Sequence, residues 1–160
     1  MKKIPLTQGK IALVDDEDYD FLMQWKWHYI KCRDPGYAAR YRKNGESGTQ
    51  QKILMHRFLM GTPPGMEIDH RDNNGLNNQR YNLRRATSSQ NRRNSELRVD
   101  NKSGYKGVTR TASKKKWRVY IKINGKQKWL GSFISKKDAA KAYNIAAKEL
   151  FGEFANLNII

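Results

Sequence analysis

An aspartate and a histidine are adjacent at Asp69 and His70. A carboxylate can hold a hard divalent cation through oxygen, and an imidazole can take a proton from an attacking water. If the segment is extended, the two side chains point to opposite sides of the chain and can do these jobs separately. The pair is therefore suited to the hydrolysis of a phosphodiester bond.

A second ligand for such a cation is predicted further along the chain. Thr87 and Gln90 have the spacing of a capping box, which predicts a helix that begins near Ser88 and carries Asn91 in its first turn. The amide oxygen of Asn91 can complete a metal site with Asp69. Two protein ligands with a single negative charge make a weak site, so the expected ion is octahedral Mg²⁺ or Mn²⁺ that keeps several waters.

The residues around this pair resemble the HNH endonuclease family. The matching segments are Asp69-His70, NNGLNN at 73–78, YNLR at 81–84 and Asn91. The resemblance implies a ββα-metal motif in which His70 is the general base and Asn82 orients it or ties the loop. It also implies that Asp69 and Asn91 hold the metal. Many members carry histidine where this chain has Asn91, and asparagine at this position resembles the homing-type subgroup. His56 resembles a scaffold histidine of the family.

The charge of the 160-residue chain favours a polyanionic partner. Lysine and arginine outnumber aspartate and glutamate by 32 to 15, which gives a net charge of +17 and a pI near 10.1. Solubility requires far less charge than this, so nucleic acid is the leading partner and a membrane surface a lesser one. Cys32 is the single cysteine, which excludes a thiolate zinc site built from this chain. No segment has the length and apolarity of a membrane span.

Strand and helix patterns predict two α+β domains. The first, residues 1–98, combines the nuclease motif with an N-terminal scaffold, and a polar stretch at 92–104 is predicted to be a helix tail and linker. The predicted scaffold strands lie at 9–14, 37–42 and 52–55, with a polar turn at 44–48, and the predicted scaffold helices begin at 15–18 and at 56.

The second domain, residues 104–160, is predicted to be a three-stranded antiparallel sheet packed on one helix. The predicted strands lie at 106–110, 117–123 and 128–132, with Asn124-Gly125 as a hairpin turn. Ser135 and Asp138 have the pattern of a helix N-terminus, and Gly152 stands where the helix is expected to end.

One face of the second predicted strand is basic and aromatic, because Arg118, Tyr120 and Lys122 alternate with apolar residues. Such a sheet can lie in the major groove of DNA, where arginine and lysine reach guanine acceptors. The segments that resemble the AP2 domain are YKGVTR at 105–110, KWRVYIKINGK at 116–126, WLGSF at 129–133 and AAKAYNIAAKELFGEFANLN at 139–158. The predicted DNA-binding residues are Lys106, Arg110, Arg118, Tyr120, Lys122, Gln127 and Trp129.

These features predict a metal-dependent HNH DNA endonuclease of the homing or phage type. It is expected to hydrolyse phosphodiester bonds in double-stranded DNA, to nick one strand at a time and to be targeted by an AP2-like domain. We expect a cytoplasmic location in a bacterial or phage-infected host cell, no membrane contact and no obligate protein partner.

Two alternatives belong to other classes of protein. The first is a sequence-specific DNA-binding regulator with an inactive HNH scaffold, against which the intact set of four motif residues argues. The second is an RNA-binding protein, which we disfavour because single-stranded recognition generally uses an exposed aromatic pair on adjacent strands, and none is expected here.

Overall fold

The computed structural model describes residues 1–32, 36–43, 49–94, 97, 100–113 and 115–160. It divides the chain into two compact units, Met1–Ser88 and Ser89–Ile160, where the predicted domains were 1–98 and 104–160. Both units combine helices with small antiparallel sheets, so the α+β prediction is confirmed at this level. Within the described ranges, no helix has both the length and the apolar character needed to span a membrane.

The first unit begins with a hairpin of strands β1 (Lys2–Pro5) and β2 (Ile11–Val14), followed by helix α1 (Asp16–Leu22). The first turn of α1 is acidic, which suits the positive end of the helix dipole. Trp27 Nε1 donates to the carbonyl O of Leu22 at 2.9 Å, so the end of α1 is tied to the core. The predicted strand within 9–14 and the predicted helix start are confirmed.

A second sheet of the first unit has the order β3 (His28–Ile30), β4 (Tyr37–Lys43) and β5 (Gln50–Leu54), all antiparallel. Helix α2 (Met55–Met60) follows directly. The strands predicted near 37–42 and 52–55 and the short helix after them are confirmed, while the predicted turn at 44–48 lies outside the described residues.

The nuclease motif itself folds as the antiparallel pair β6 (Glu67–His70) and β7 (Leu83–Ala86), followed by helix α3 (Ser88–Asn94). This is the predicted β-β-α order, with the helix beginning at the predicted residue. Because α3 starts at the last residue of the first unit, most of it belongs to the second.

The second unit contains the sheet β10-β9-β8, built from β8 (Val108–Arg110), β9 (Trp117–Ile123) and β10 (Lys126–Phe133), and helix α4 (Lys136–Phe151). Asn124 and Gly125 both have positive φ, as the tight hairpin turn requires. Ser135 Oγ accepts from Asp138 N at 3.3 Å, which caps α4 as predicted. Two buried alanines of α4 pack on the sheet. The predicted strand and helix order is confirmed.

Candidate active site and nucleic-acid interface

The Asp69-His70 pair lies at the end of β6, where the chain enters the loop to β7. Asn73 N donates to the carbonyl O of His70 (3.0 Å), and Arg71 N donates to the carbonyl O of Asn82 (2.9 Å). These two hydrogen bonds bring the two ends of the loop together beside the histidine. The backbone therefore fixes the position of the predicted catalytic pair.

The buried side chain of Asn82 holds this loop closed. Its Oδ1 accepts from Asp72 N (3.1 Å), and its Nδ2 donates to Asp72 Oδ1 (2.9 Å) and to the carbonyl O of Asn77 (2.9 Å). The amide thus makes three hydrogen bonds to one loop. Of the two roles that the resemblance implied for Asn82, these contacts favour the tying of the loop.

Asp72 organises the loop from its centre. Its Oδ1 also accepts from Asn74 N (2.8 Å), and its Oδ2 accepts from Asn77 Nδ2 (2.8 Å). Because loop donors use both oxygens, this carboxylate is suited to shaping the loop. Sequence reasoning gave Asp72 no role, although an acid two residues before the bonded backbone N–H is typical of an Asx-turn.

The acidic N-terminal cluster anchors the outer side of the loop. Arg80 forms a bidentate ion pair with Asp18, with Nε to Oδ2 at 2.8 Å and Nη2 to Oδ1 at 2.7 Å. Asp15 accepts from Arg80 N (2.7 Å) and from Gln79 Nε2 (3.0 Å). Strand β2 adds two backbone hydrogen bonds to the loop, each of 2.8 Å. Sequence reasoning saw these acids only as a helix start and missed their function as a support for the motif.

Asp69 forms a buried ion pair with Arg84, which lies opposite it on β7. Arg84 Nε and Nη2 both contact Asp69 Oδ2, at 2.8 and 2.7 Å. The side chains of Arg84 and Asp69 are only 6% and 4% exposed. The predicted metal ligand is therefore paired with a buried positive charge. Arg84 is part of the YNLR segment, but sequence reasoning assigned it no role.

His70 is buried against two other rings. Its ring centroid lies 4.8 Å from that of His56, at an interplanar angle of 78°, and 6.0 Å from that of Tyr37. Burial lowers the pKa of His70 below its ordinary value, although the carboxylates of Asp72 and Asp69 act in the opposite direction. The imidazole is therefore neutral near neutral pH and can accept a proton, as a general base must.

His56 and Asn78 complete the buried surroundings of His70. Burial, with smaller contributions from His70 and Arg57, lowers the pKa of His56 to about 3. The His56 ring also lies 5.3 Å from that of Tyr37, so it packs against both the His70 and the Tyr37 rings. Asn78 raises the pKa of His70. The cause is a hydrogen-bonding interaction between the Asn78 side chain and the imidazole.

The predicted metal ligands lie in different units of the chain. Asp69 belongs to Met1–Ser88, and Asn91 lies in α3 and belongs to Ser89–Ile160, so its role as a ligand stays a prediction. Among the described residues, no group of three or more His, Cys, Asp or Glu side chains is arranged for a metal ion. A carboxylate oxygen is nevertheless the kind of ligand that a hard divalent cation prefers, so Asp69 suits such a cation by its chemistry.

Five of the predicted DNA-binding residues share one face of the C-terminal sheet. Arg118, Tyr120 and Lys122 alternate on β9 with buried residues of the core. Gln127 and Trp129 lie directly opposite Lys122 and Tyr120 on β10. Cross-strand partners point to the same side of a sheet, so these side chains form one polar and aromatic surface, which we call the sheet face.

The other two predicted DNA-binding residues lie elsewhere in this unit. Arg110 pairs with Trp117, and its guanidinium carbon lies 4.9 Å from the centroid of that ring. Because Trp117 alternates with Arg118, the structure places Arg110 on the opposite face of the sheet. Lys106 precedes β8, and its backbone N donates to Asn158 Oδ1 at 2.6 Å.

Tyr120 and Trp129 form an aromatic pair on adjacent strands, and Trp129 is 61% exposed. The expectation that no such pair exists is therefore wrong. The two-residue turn at Asn124-Gly125 fixes the register of the hairpin, and that register sets Trp129 opposite Tyr120.

A groove of about 770 Å³ borders the sheet face within the second unit. Lys106 and Lys122 line it from the sheet, and Arg92 and Arg93 line it from α3. The guanidinium of Arg93 lies 4.6 Å from the ring centroid of Phe151, which holds this end of α3 on α4. Sequence reasoning placed α3 with the nuclease motif and missed its two arginines as part of the basic surface.

Comparison with known proteins agrees with this geometry. The family profile described as HNH endonuclease matches residues 57–93, from α2 to α3. An uncharacterized HNH endonuclease of Acanthamoeba polyphaga mimivirus is 32% identical over 159 residues, which cover 96% of this chain and 77% of that relative. Protein 3.8 of Escherichia phage T7 is 36% identical over 93 residues, which cover 58% of this chain and 76% of that protein. Members of the family generally depend on a divalent metal ion. The chain belongs to the HNH endonuclease family.

Proposed function

We propose that the protein is a metal-dependent endonuclease that hydrolyses phosphodiester bonds in duplex DNA. The observation that carries the proposal is the buried imidazole of His70, whose pKa burial lowers and which follows Asp69 in the chain at the base of a closed loop. A neutral imidazole next to an oxygen ligand is the minimum that hydrolysis at a cation requires.

Each of the four motif residues has a proposed role. His70 takes the proton from the attacking water, and Asn82 keeps the loop closed so that the imidazole stays in place. Asp69 and Asn91 would hold Mg²⁺ or Mn²⁺. When bound, this cation supplies neutralisation of the charge that develops on the leaving oxygen.

The C-terminal unit is proposed to be an AP2-like module that brings the nuclease to its DNA. The sheet face offers Arg118 and Lys122 to bases or phosphates, and the adjoining groove adds two arginines of α3. Phosphate contacts are expected to dominate the affinity. About 6–10 such contacts imply a loss of about 10³–10⁵ in affinity between about 50 and 200 mM salt.

A phage-type or homing role is proposed, with action in the cytoplasm of a bacterial or phage-infected cell. Relatives from a virus and a phage agree with the phage-type role. With one catalytic histidine per chain, cutting of one strand at a time is proposed. No obligate protein partner is required for this reaction.

Cleavage of supercoiled plasmid with Mg²⁺ or Mn²⁺ tests the nuclease proposal. The wild type is expected to give nicked circles first, and His70→Ala and Asp69→Ala are expected to lose at least about 10²-fold in rate while they still bind DNA. His28→Ala and Asp20→Asn are matched controls in the same unit and should cut normally.

The outcomes separate the candidate functions. Equal cutting by the wild type and both motif variants would remove the enzymatic assignment. A wild type that binds duplex DNA but cuts with neither cation would favour the DNA-binding regulator. Linear product without a nicked precursor at low enzyme concentration would overturn the cutting of single strands.

A further inference from the structure

The buried ion pair of Asp69 and Arg84 bears on how a cation can bind. Arg84 Nε and Nη2 each contact Asp69 Oδ2, and neither side chain is more than 6% exposed. Water screens charges weakly in such a position. The guanidinium therefore offsets the negative charge of the carboxylate that is proposed to hold the cation.

Other acids near β6 are engaged elsewhere or lie nearer to solvent. The carboxylate of Asp72 accepts hydrogen bonds from three donors of the loop. Glu67, two residues before Asp69 on the same side of β6, is half-buried, and its Oε1 accepts from Ser88 Oγ at 2.6 Å. A divalent cation at Asp69 would thus meet a buried carboxylate whose charge a buried guanidinium offsets.

We propose that Arg84 makes cation binding depend on DNA, so that Asp69 binds the divalent cation appreciably only when a backbone phosphate adds its negative charge. This inference rests on the proposed function, because it requires a cation-dependent cut beside Asp69. Arg84 acts through Asp69 and is a positioning residue. The protein without DNA then carries little cation, and the loaded site assembles on the substrate.

The direct test measures Mn²⁺ binding to the full chain by the electron paramagnetic resonance signal of the unbound ion. The measurement uses the His70→Ala background, in which a duplex oligonucleotide stays uncut, and subtracts binding to the duplex alone. The affinity without DNA is expected to be weaker than with DNA by about tenfold or more. Asp69→Asn in the same background should abolish the gain that DNA produces.

A charge series at position 84 tests the cause. Arg84→Gln is expected to raise the DNA-free affinity for Mn²⁺ by about tenfold, because the opposing charge is gone. Arg84→Lys keeps the charge and should stay as weak as the parent. Loss of a merely structural contact would not raise an affinity. Removing one partner of a buried pair destabilises the fold, so thermal unfolding is followed for each variant.

The results separate this inference from the proposed function. If the wild type cuts plasmid but the protein binds Mn²⁺ equally tightly without DNA, the inference fails and the nuclease stands. A folded Arg84→Gln whose affinity is unchanged or weaker also overturns it. If Arg84→Gln does not fold, the comparison of the Mn²⁺ affinity of the His70→Ala protein with and without DNA still tests the inference. A wild type that cuts with no cation overturns the proposed function itself.

Discussion

The loop of the nuclease motif and the sheet face of the C-terminal unit organise their polar groups in opposite ways. In the loop, Asn82, Asp72 and Asn77 satisfy one another through hydrogen bonds, and Asn82 is only 1% exposed. On the sheet face, Arg118 and Lys122 are exposed and extend from a strand whose fold depends on the apolar residues between them.

The difference indicates that the two surfaces should respond differently to substitution. In the loop, a side chain such as that of Asn82 is expected to contribute to both stability and catalysis, because the same hydrogen bonds fix the fold and the position of His70. On the sheet face, a side chain can be changed with little effect on stability, so only the affinity for DNA is expected to change. The predictions below test this separation.

The largest effect is expected for Asn82→Leu. The substitution leaves the bonded groups of Asp72 and Asn77 buried without their partner, which should lower the free energy of unfolding by about 3 kcal/mol or more. Plasmid cutting should be lost as well. Urea unfolding and cleavage assays measure the two effects. Asn73→Gly is the matched control, since Asn73 has a φ of 61° that glycine adopts without strain, and it should leave both nearly unchanged.

Sequence reasoning predicted the elements of both regions well, because their signals are local. The β-β-α order of the motif follows from short strands and a capping pattern, and the C-terminal hairpin follows from Asn124-Gly125. These signals lie within a few residues of one another. The proposed catalytic set stays a prediction, made from the adjacent Asp69 and His70 and from the family resemblance at Asn82 and Asn91.

The supports of the site could not be predicted because they join distant segments. The ion pair of Arg80 with Asp18 crosses 62 positions, and the pairing of Asp69 with Arg84 depends on the register of β6 and β7. The aromatic pair of Tyr120 and Trp129 was missed for a similar reason. Alternation within one strand identifies a face, whereas the neighbours across strands depend on the register.

A smaller effect is expected from acid, and it should be confined to the unit that contains the loop. All three histidines lie in Met1–Ser88, and burial lowers the pKa of His56 to about 3. The unfolded chain protonates this histidine near its ordinary pKa of about 6.5, so stability is fully present above about pH 6.5 and falls as the pH decreases toward about 3.

Urea unfolding at several pH values measures this dependence. The loss is expected to reach a few kcal/mol at most, and His56→Gln should show a shallower decrease with falling pH because the titrating group is gone. His28→Gln is the matched control and should keep the slope of the wild type. An unchanged slope in His56→Gln would contradict the assignment of acid sensitivity to this buried imidazole.

The smallest effect on stability is expected for Lys122→Gln on the sheet face. Because the side chain is exposed, the free energy of unfolding should change by less than about 0.5 kcal/mol.

If Lys122 contacts a phosphate, the slope of log affinity against log salt should decrease in magnitude by about 0.9 for duplex DNA. Lys137→Gln removes the same charge from an exposed position of α4 and should leave the slope closer to that of the wild type. Fluorescence anisotropy of a labelled duplex at several salt concentrations measures the slope for both variants. A single-stranded competitor of equal length shows whether the half-buried Tyr120 and the exposed Trp129 also stack on unpaired bases. A loss of stability in Lys122→Gln comparable to that of Asn82→Leu would mean that the two surfaces are not organised differently.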